Sequence, residues 1–185
     1  MPEKFFNNQL TGKIGHVPTE GQIEAGNNLI KFLSDKENFC IFLLKGYAGT
    51  GKTTLISALI QTLFENNINT VLLSPTGRAA KVLSSYSGRK AYTIHKCIFR
   101  KKSTKKADSG FGLNFNKFKD SIFIVDEASM IGNSNLSGSM FGSGRLLEDL
   151  LSFVFDDNNC RLILVGDTAQ LPPVGTILSP ALDKS

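Results

Sequence analysis

Apolar residues recur along this chain in two rhythms. Short continuous runs at Phe39–Leu44, Thr70–Leu73, Ser121–Val125 and Leu162–Val165 predict buried strands. Between them the spacing is helical. Ile23, Gly26, Ile30 and Leu33 predict the buried stripe of a helix opened by Thr19. Leu55, Ile56, Leu59, Ile60 and Leu63 predict a second, and Leu146, Leu147, Leu150, Leu151 and Val154 a third, starting at Arg145. Ser74 to Lys81 predicts a turn entering a helix, with Thr76 as N-cap and Arg78 and Lys81 on one face. Tyr92 to Lys96, with two β-branched residues and an aromatic, predicts a short strand. Residues 1–18 carry little signal beyond Phe5-Phe6. Strands alternating with helices imply an α/β fold, a mainly parallel sheet covered on both faces. Such sheets bind ligands beyond the carboxyl ends of their strands.

Two stretches break the rhythm. Residues 132–144 predict a loop, because eight of the thirteen are Gly or Ser. Residues 97–119 hold two apolar patches, Ile98-Phe99 and Phe111–Asn116, separated by Lys, Ser, Asp and Gly. That pattern predicts a basic β-hairpin inserted into the domain, with disorder as the plain alternative.

Composition adds limits. A chain of 185 residues fits one domain over residues 1–185, and a charged share of 20% is ordinary for a globular protein. No apolar run reaches the roughly twenty residues of a membrane helix, and the first ten residues lack a signal-peptide core. Cys40, Cys97 and Cys160 are odd in number and widely spaced, which reads as reduced thiols in a cytoplasmic protein. The net charge of +5 is unevenly distributed. Arg78 to Lys119 holds twelve bases against one acid, and the remainder nine against fifteen. A basic track for a polyanion and a solvated charged loop both fit that asymmetry.

The candidate chemistry lies at the strand ends. Gly46-Tyr47-Ala48-Gly49-Thr50-Gly51-Lys52-Thr53-Thr54 fits the phosphate-loop pattern G-x-x-x-x-G-K-[ST], with a strand before it and a helix after. Backbone N–H groups of Gly46, Ala48, Gly49, Thr50, Gly51 and Thr54 would cradle phosphates, helped by the helix dipole. Lys52 would neutralise the β- and γ-phosphates of ATP, and the Thr53 hydroxyl would ligate Mg²⁺. Asp126 and Glu127 close a buried strand, a costly placement unless a cation or substrate compensates. Asp126 would hold Mg²⁺ through water and Glu127 would polarise the attacking water. Gln170 follows a neighbouring strand, within reach of the γ-phosphate or that water. Thr19 and Gln22 have capping-box spacing. Spacing alone favours the cap, although a glutamine amide also suits an adenine edge.

These segments occur in order with Thr93-Ile94-His95-Lys96, Val125-Asp126-Glu127-Ala128-Ser129-Met130 and Gly166-Asp167-Thr168-Ala169-Gln170-Leu171-Pro172-Pro173. The set resembles the Q motif and motifs I, Ia, Ib, II and III of superfamily 1 DNA helicases of the RecD-like branch. That branch includes the exonuclease V alpha subunit. The resemblance spans nearly the whole chain. It implies a RecA-like P-loop NTPase domain and an ATP-driven motor moving 5′ to 3′ on single-stranded DNA, in DNA repair and recombination. By motif position Gln22 would read adenine and Gln170 would couple the γ-phosphate to DNA. Pro75, Thr76, Thr93 and His95 would line the DNA path, with Arg78, Lys81, Lys96, Arg100 and Lys101 as basic contacts. His95 without its motif reads as a packed core histidine. The basic hairpin would correspond to an inserted strand-separating pin. Such helicases place ATP between two RecA-like domains, and the chain is expected to be the first, followed by a second that supplies arginine fingers. The 1–185 stretch alone is then expected to hydrolyse ATP slowly. Subunits of a nuclease–helicase complex are further implied partners. A P-loop kinase and an ATP-binding module without hydrolysis are the competing classes.

Overall fold

The computed structural model describes residues 3–35, 37, 39–101, 110–132, 141–156, 159–167 and 180–182. In chain order its elements are α1 (Glu3–Gly12), α2 (Glu20–Ser34), β1 (Ile41–Lys45), α3 (Lys52–Glu65), β2 (Thr70–Ser74) and α4 (Gly77–Ser87). There follow β3 (Ala91–Thr93), α5 (Ile94–Ile98), β4 (Phe99–Lys101), β5 (Phe111–Leu113), β6 (Ile122–Val125), α6 (Leu146–Val154) and β7 (Arg161–Gly166). Short 3₁₀ turns lie at Ala128–Met130 and Pro180–Leu182.

Five strands form one parallel sheet in the order β1-β7-β6-β2-β3. This is the P-loop NTPase α/β fold. The continuous apolar runs divide by the period-two rule of a pleated sheet. Leu72, Ile122, Ile124, Ile163 and Val165 face a core built with α1, α2 and α3. Val71, Leu73, Phe123, Val125, Leu162 and Leu164 face the other, built with α5 and α6. Burial on both faces explains why the strands lack a polar alternation.

The α3 stripe lies as expected, with Leu55, Ile56, Leu59, Ile60 and Leu63 all buried. On α6, Leu150 and Val154 are fully buried, joined by Phe153. Elsewhere the structure corrects the sequence reading. Residues 1–18 hold a helix whose Phe6 and Leu10, with Ile14 beyond its end, are buried. Leu10 packs 3.4 Å from the position a Cβ would take on Gly26 of α2. Ile23 is exposed, and the buried residue at that level of α2 is Gln22. The first strand starts at Ile41, and Ile41 is itself exposed because β1 is an edge strand of the sheet among the described residues.

Tyr92–Lys96 is a strand only as far as Thr93. Thr93 then caps α5, its Oγ1 accepting from the Lys96 N–H at 3.2 Å. Ile94 and Ile98, four apart, are buried on one side of that helix, and this packing overrides their β propensity. Cys97 and Ile98 thus belong to α5, and the hairpin proper pairs β4 with β5 in antiparallel register. Its basic residues Lys102, Lys105 and Lys106 lie outside the described residues.

Candidate nucleotide site and basic face

The phosphate-loop segment leaves β1 at Lys45 and enters α3 at Lys52. Gly51 makes that entry in the left-handed region at φ 81°, where a side chain is strained. A Cβ there would also sit 2.3 Å from Gln22 Nε2. The first capping bond of α3 runs from Leu55 N to Gly51 O at 3.0 Å. The N–H groups of Lys52, Thr53 and Thr54 therefore have no acceptor within the helix and form its positive end. Lys52 Nζ donates to the carbonyls of Gly46 at 2.5 Å and Tyr47 at 2.7 Å, and lies 4.0 Å from Asp167 Oδ2.

One cleft of about 430 Å³ collects Ala48, Gly49, Lys52, Thr53, Asp126 and Glu127, together with Asp167. Asp126 follows β6 and is held tightly. Its Oδ1 accepts from the Glu127 N–H at 2.9 Å and its Oδ2 from the Tyr86 hydroxyl at 2.7 Å. Its main-chain carbonyl accepts from Ser74 Oγ at 3.2 Å. Glu127 adopts φ 57°, a left-handed conformation that costs a residue with a side chain about 1–2 kcal/mol. Burial, with the Asp126 and Glu127 carboxylates beside it, raises the Tyr86 pKa and keeps the phenol protonated.

A second cavity of about 440 Å³ lies across the loop, lined by Thr19, Gly21, Gln22, Ala25 and Lys45 and sharing Gly49, Gly51 and Lys52 with the first. Here the capping box is complete. Gln22 Oε1 accepts from the Thr19 N–H at 3.0 Å, and the Gln22 N–H donates to Thr19 Oγ1 at 3.3 Å. The amide does more than cap, because Nε2 also donates to Gly51 O at 3.3 Å. Gln22 thus fastens the helix start to the phosphate loop.

The expected DNA contacts gather at neighbouring strand ends. Ser74 of β2 is in register with Thr93 of β3, so Pro75 and Thr76 follow beside Thr93. Thr76 Oγ1 caps α4 by accepting from the Ala79 N–H at 3.2 Å, which leaves Arg78 and Lys81 exposed on its first turns. His95 is half-buried, with ring centroids 5.6 Å from Phe99 and 5.2 Å from Phe141, and desolvation lowers its pKa. Phe111 stacks on Phe141 at 4.6 Å, so Phe99 and Phe111 anchor the hairpin base. Phe115 remains 65% exposed, with the Arg100 guanidinium 4.7 Å from its ring centre. Lys90, Tyr92, Lys96, Phe115, Lys117 and Phe118 surround a pocket of about 340 Å³. Arg100 and Lys101 are exposed on β4.

Gln170 lies outside the described residues. Sequence reasoning missed Asp167 in the cleft and Tyr86, which bonds to Asp126. Asp167 closes buried β7 as Asp126 closes β6, so the same signal marked it. Tyr86 carries no local signal, since only the fold brings it to Asp126.

The family described as AAA domain matches residues 19–177, which takes in the loop, both strand-end acids and the basic face. The chain belongs to that family. Within it, the chain is similar to DNA helicases of the RecD-like superfamily 1 branch. It is 32% identical over 159 residues to the ATP-dependent DNA helicase dda of Enterobacteria phage T4, covering 84% of this chain and 33% of the phage protein. It is 33% identical over 159 residues to the ATP-dependent RecD2 DNA helicase of Deinococcus radiodurans, covering 85% of this chain and 20% of that protein. The RecBCD enzyme subunit RecD of Buchnera aphidicola is 29% identical over 155 residues, 72% of this chain and 23% of that subunit. The AAA domain therefore spans a third or less of each of these relatives. Among its described residues no helix is long and apolar enough to cross a membrane.

Proposed function

We propose that this chain is the first motor domain of an ATP-dependent DNA helicase that tracks 5′ to 3′ along single-stranded DNA. The observation that carries the reading is the single cleft in which Lys52, Thr53, Asp126, Glu127 and Asp167 meet around the loop. Phosphates of ATP would take the N–H groups at the start of α3, and Lys52 Nζ would exchange its two carbonyl acceptors for phosphate oxygens. The adenine would lie in the adjoining cavity, where Gln22 can present its amide if it gives up the Gly51 carbonyl. The Thr53 hydroxyl and the Asp126 carboxylate are hard oxygen donors that suit Mg²⁺. When bound, Mg²⁺ would neutralise charge on the β- and γ-phosphates. Glu127 would orient the attacking water and accept its proton. Gln170 would report the γ-phosphate to the DNA side.

Single-stranded DNA would cross Pro75, Thr76, Thr93 and His95, with Arg78, Lys81, Lys96, Arg100 and Lys101 meeting phosphates. Thr76 and Thr93 use their oxygens as caps and keep their hydroxyl protons to donate. The exposed ring of Phe115 and the basic pocket beside it supply the stacking and positive charge that single strands require. A second RecA-like domain, C-terminal to these residues, would close the nucleotide cleft. The hairpin would act as the pin that parts the duplex, in a protein working alone or within a nuclease–helicase complex.

The test is ATP turnover by the full-length protein with and without single-stranded DNA, alongside Glu127→Gln. DNA should stimulate the wild type, whereas the variant should bind nucleotide normally and turn over at least about a hundredfold more slowly. Turnover indifferent to DNA would favour a P-loop enzyme of another class, and no turnover a nucleotide-binding module. Near-normal turnover by the variant would remove Glu127 from the chemistry.

A further inference from the structure

We infer that Tyr86 is a positioning residue for the metal-facing acid, tying the placement of α4 to the geometry of Asp126. The inference rests on the reading that Asp126 holds Mg²⁺ through water.

Three observations meet at this tyrosine. Its hydroxyl donates to Asp126 Oδ2 at 2.7 Å across forty residues of sequence. Its main-chain carbonyl accepts from Ser57 Oγ of α3 at 3.1 Å, so the helix after the phosphate loop holds it from behind. Its ring packs against the α1–α2–α3 core. Tyr86 is therefore where α3, α4 and the end of β6 join.

A carboxylate on a strand end can rotate about two side-chain torsions. With Oδ1 on the Glu127 N–H and Oδ2 on the phenol, both oxygens of Asp126 are fixed, and each keeps a lone pair for a metal-bound water. Groups that orient a ligand in this way typically change metal affinity or activity 10–100-fold when removed. The same bond gives α4 a route to the nucleotide cleft. Arg78 and Lys81 lie on its first turns and Tyr86 on its third, with Arg78 about 12 Å from Tyr86 along the axis. A rigid helix displaced by a polyanion at Arg78 and Lys81 carries the phenol, and with it the carboxylate.

The experiment measures the affinity of a fluorescent ATP analogue in excess Mg²⁺ and in EDTA, using the protein that carries this chain. The ratio of the two affinities reads the metal's contribution. Asp126→Ala should collapse the ratio, and Tyr86→Phe, which keeps the ring, should lower it by about tenfold. Tyr86→Phe added to Asp126→Ala should lower it no further, because the phenol acts through that carboxylate. A wild-type ratio in Tyr86→Phe, or an equal loss in both backgrounds, overturns the inference. A wild-type ratio in Asp126→Ala would instead overturn the metal reading beneath it. Ser57→Ala, which loosens the carbonyl anchor and spares the phenol, should lower the ratio less than Tyr86→Phe. A larger loss would assign the effect to helix placement and overturn the role of the hydroxyl.

Discussion

Replacing Gly51 with alanine would test how the phosphate loop is built, because the structure supplies each contribution to the cost. The residue stands at φ 81°, and alanine in the left-handed region costs about 1–2 kcal/mol. The new Cβ would lie 2.3 Å from Gln22 Nε2, so that amide must swing away. Its 3.3 Å bond to the Gly51 carbonyl is then lost, and its hold on the Thr19 N–H loosens. A bond of that kind contributes about 1 kcal/mol. Alanine's narrower unfolded ensemble returns about 0.5 kcal/mol. The net loss is about 2 kcal/mol, which lowers Tm by about 4–8 °C in a chain of this size. In a Gln22→Ala background the clash and the bond are both absent, leaving a loss of about 1 kcal/mol. Melts of the four proteins in this cycle give the coupling directly. Equal losses in the two backgrounds would refute the contact between Gln22 and the loop.

Other consequences can be measured separately. Lys52→Ala should abolish Mg-ATP binding by calorimetry, since among the described residues this side chain is the one cation lining the acid cleft; unchanged affinity would place the phosphates elsewhere. His95 has a lowered pKa because it is packed against Phe99 and Phe141. It binds a proton more readily unfolded, so its contribution should hold above its ordinary value of 6.5 and fall away as pH drops below it. His95→Gln should lack that part of the pH profile in denaturation series, and an identical profile would show that the ring is not desolvated. Replacing Arg100 and Lys101 together by alanine should weaken single-strand binding alike for all sequences and reduce the salt slope by about 1.4. An unchanged slope would take β4 off the DNA path.

Most of the fold was legible because its signals are local. Apolar runs and the Leu55–Leu63 stripe identified the sheet and α3 with no knowledge of their partners. The phosphate loop and Asp126-Glu127 were readable for the same reason, each a fixed pattern beside a strand. Failures occur where a distant neighbour decides. In and just after α1 the buried positions Phe6, Leu10 and Ile14 are separated by polar residues, and the packing of α2 and α3 makes the helix stable. Ile94 and Ile98 carry strand propensity, yet the Thr93 cap and a buried face make them helical. Gln22 displaces Ile23 from the interior because its amide has a partner 29 residues away. Tyr86 is the extreme case, since its role exists only where α4 meets β6.

The left-handed Glu127 has a meaning for protein engineering. A position at φ 57° favours glycine or asparagine on stability alone. Glu127→Gly should therefore raise the melting temperature, by relief of about 1 kcal/mol of backbone strain, while ending turnover. A library screened only for heat resistance would drift away from glutamate here. One screened for motor activity would hold it, and comparing the two populations would expose the stability–activity trade-off at a single codon.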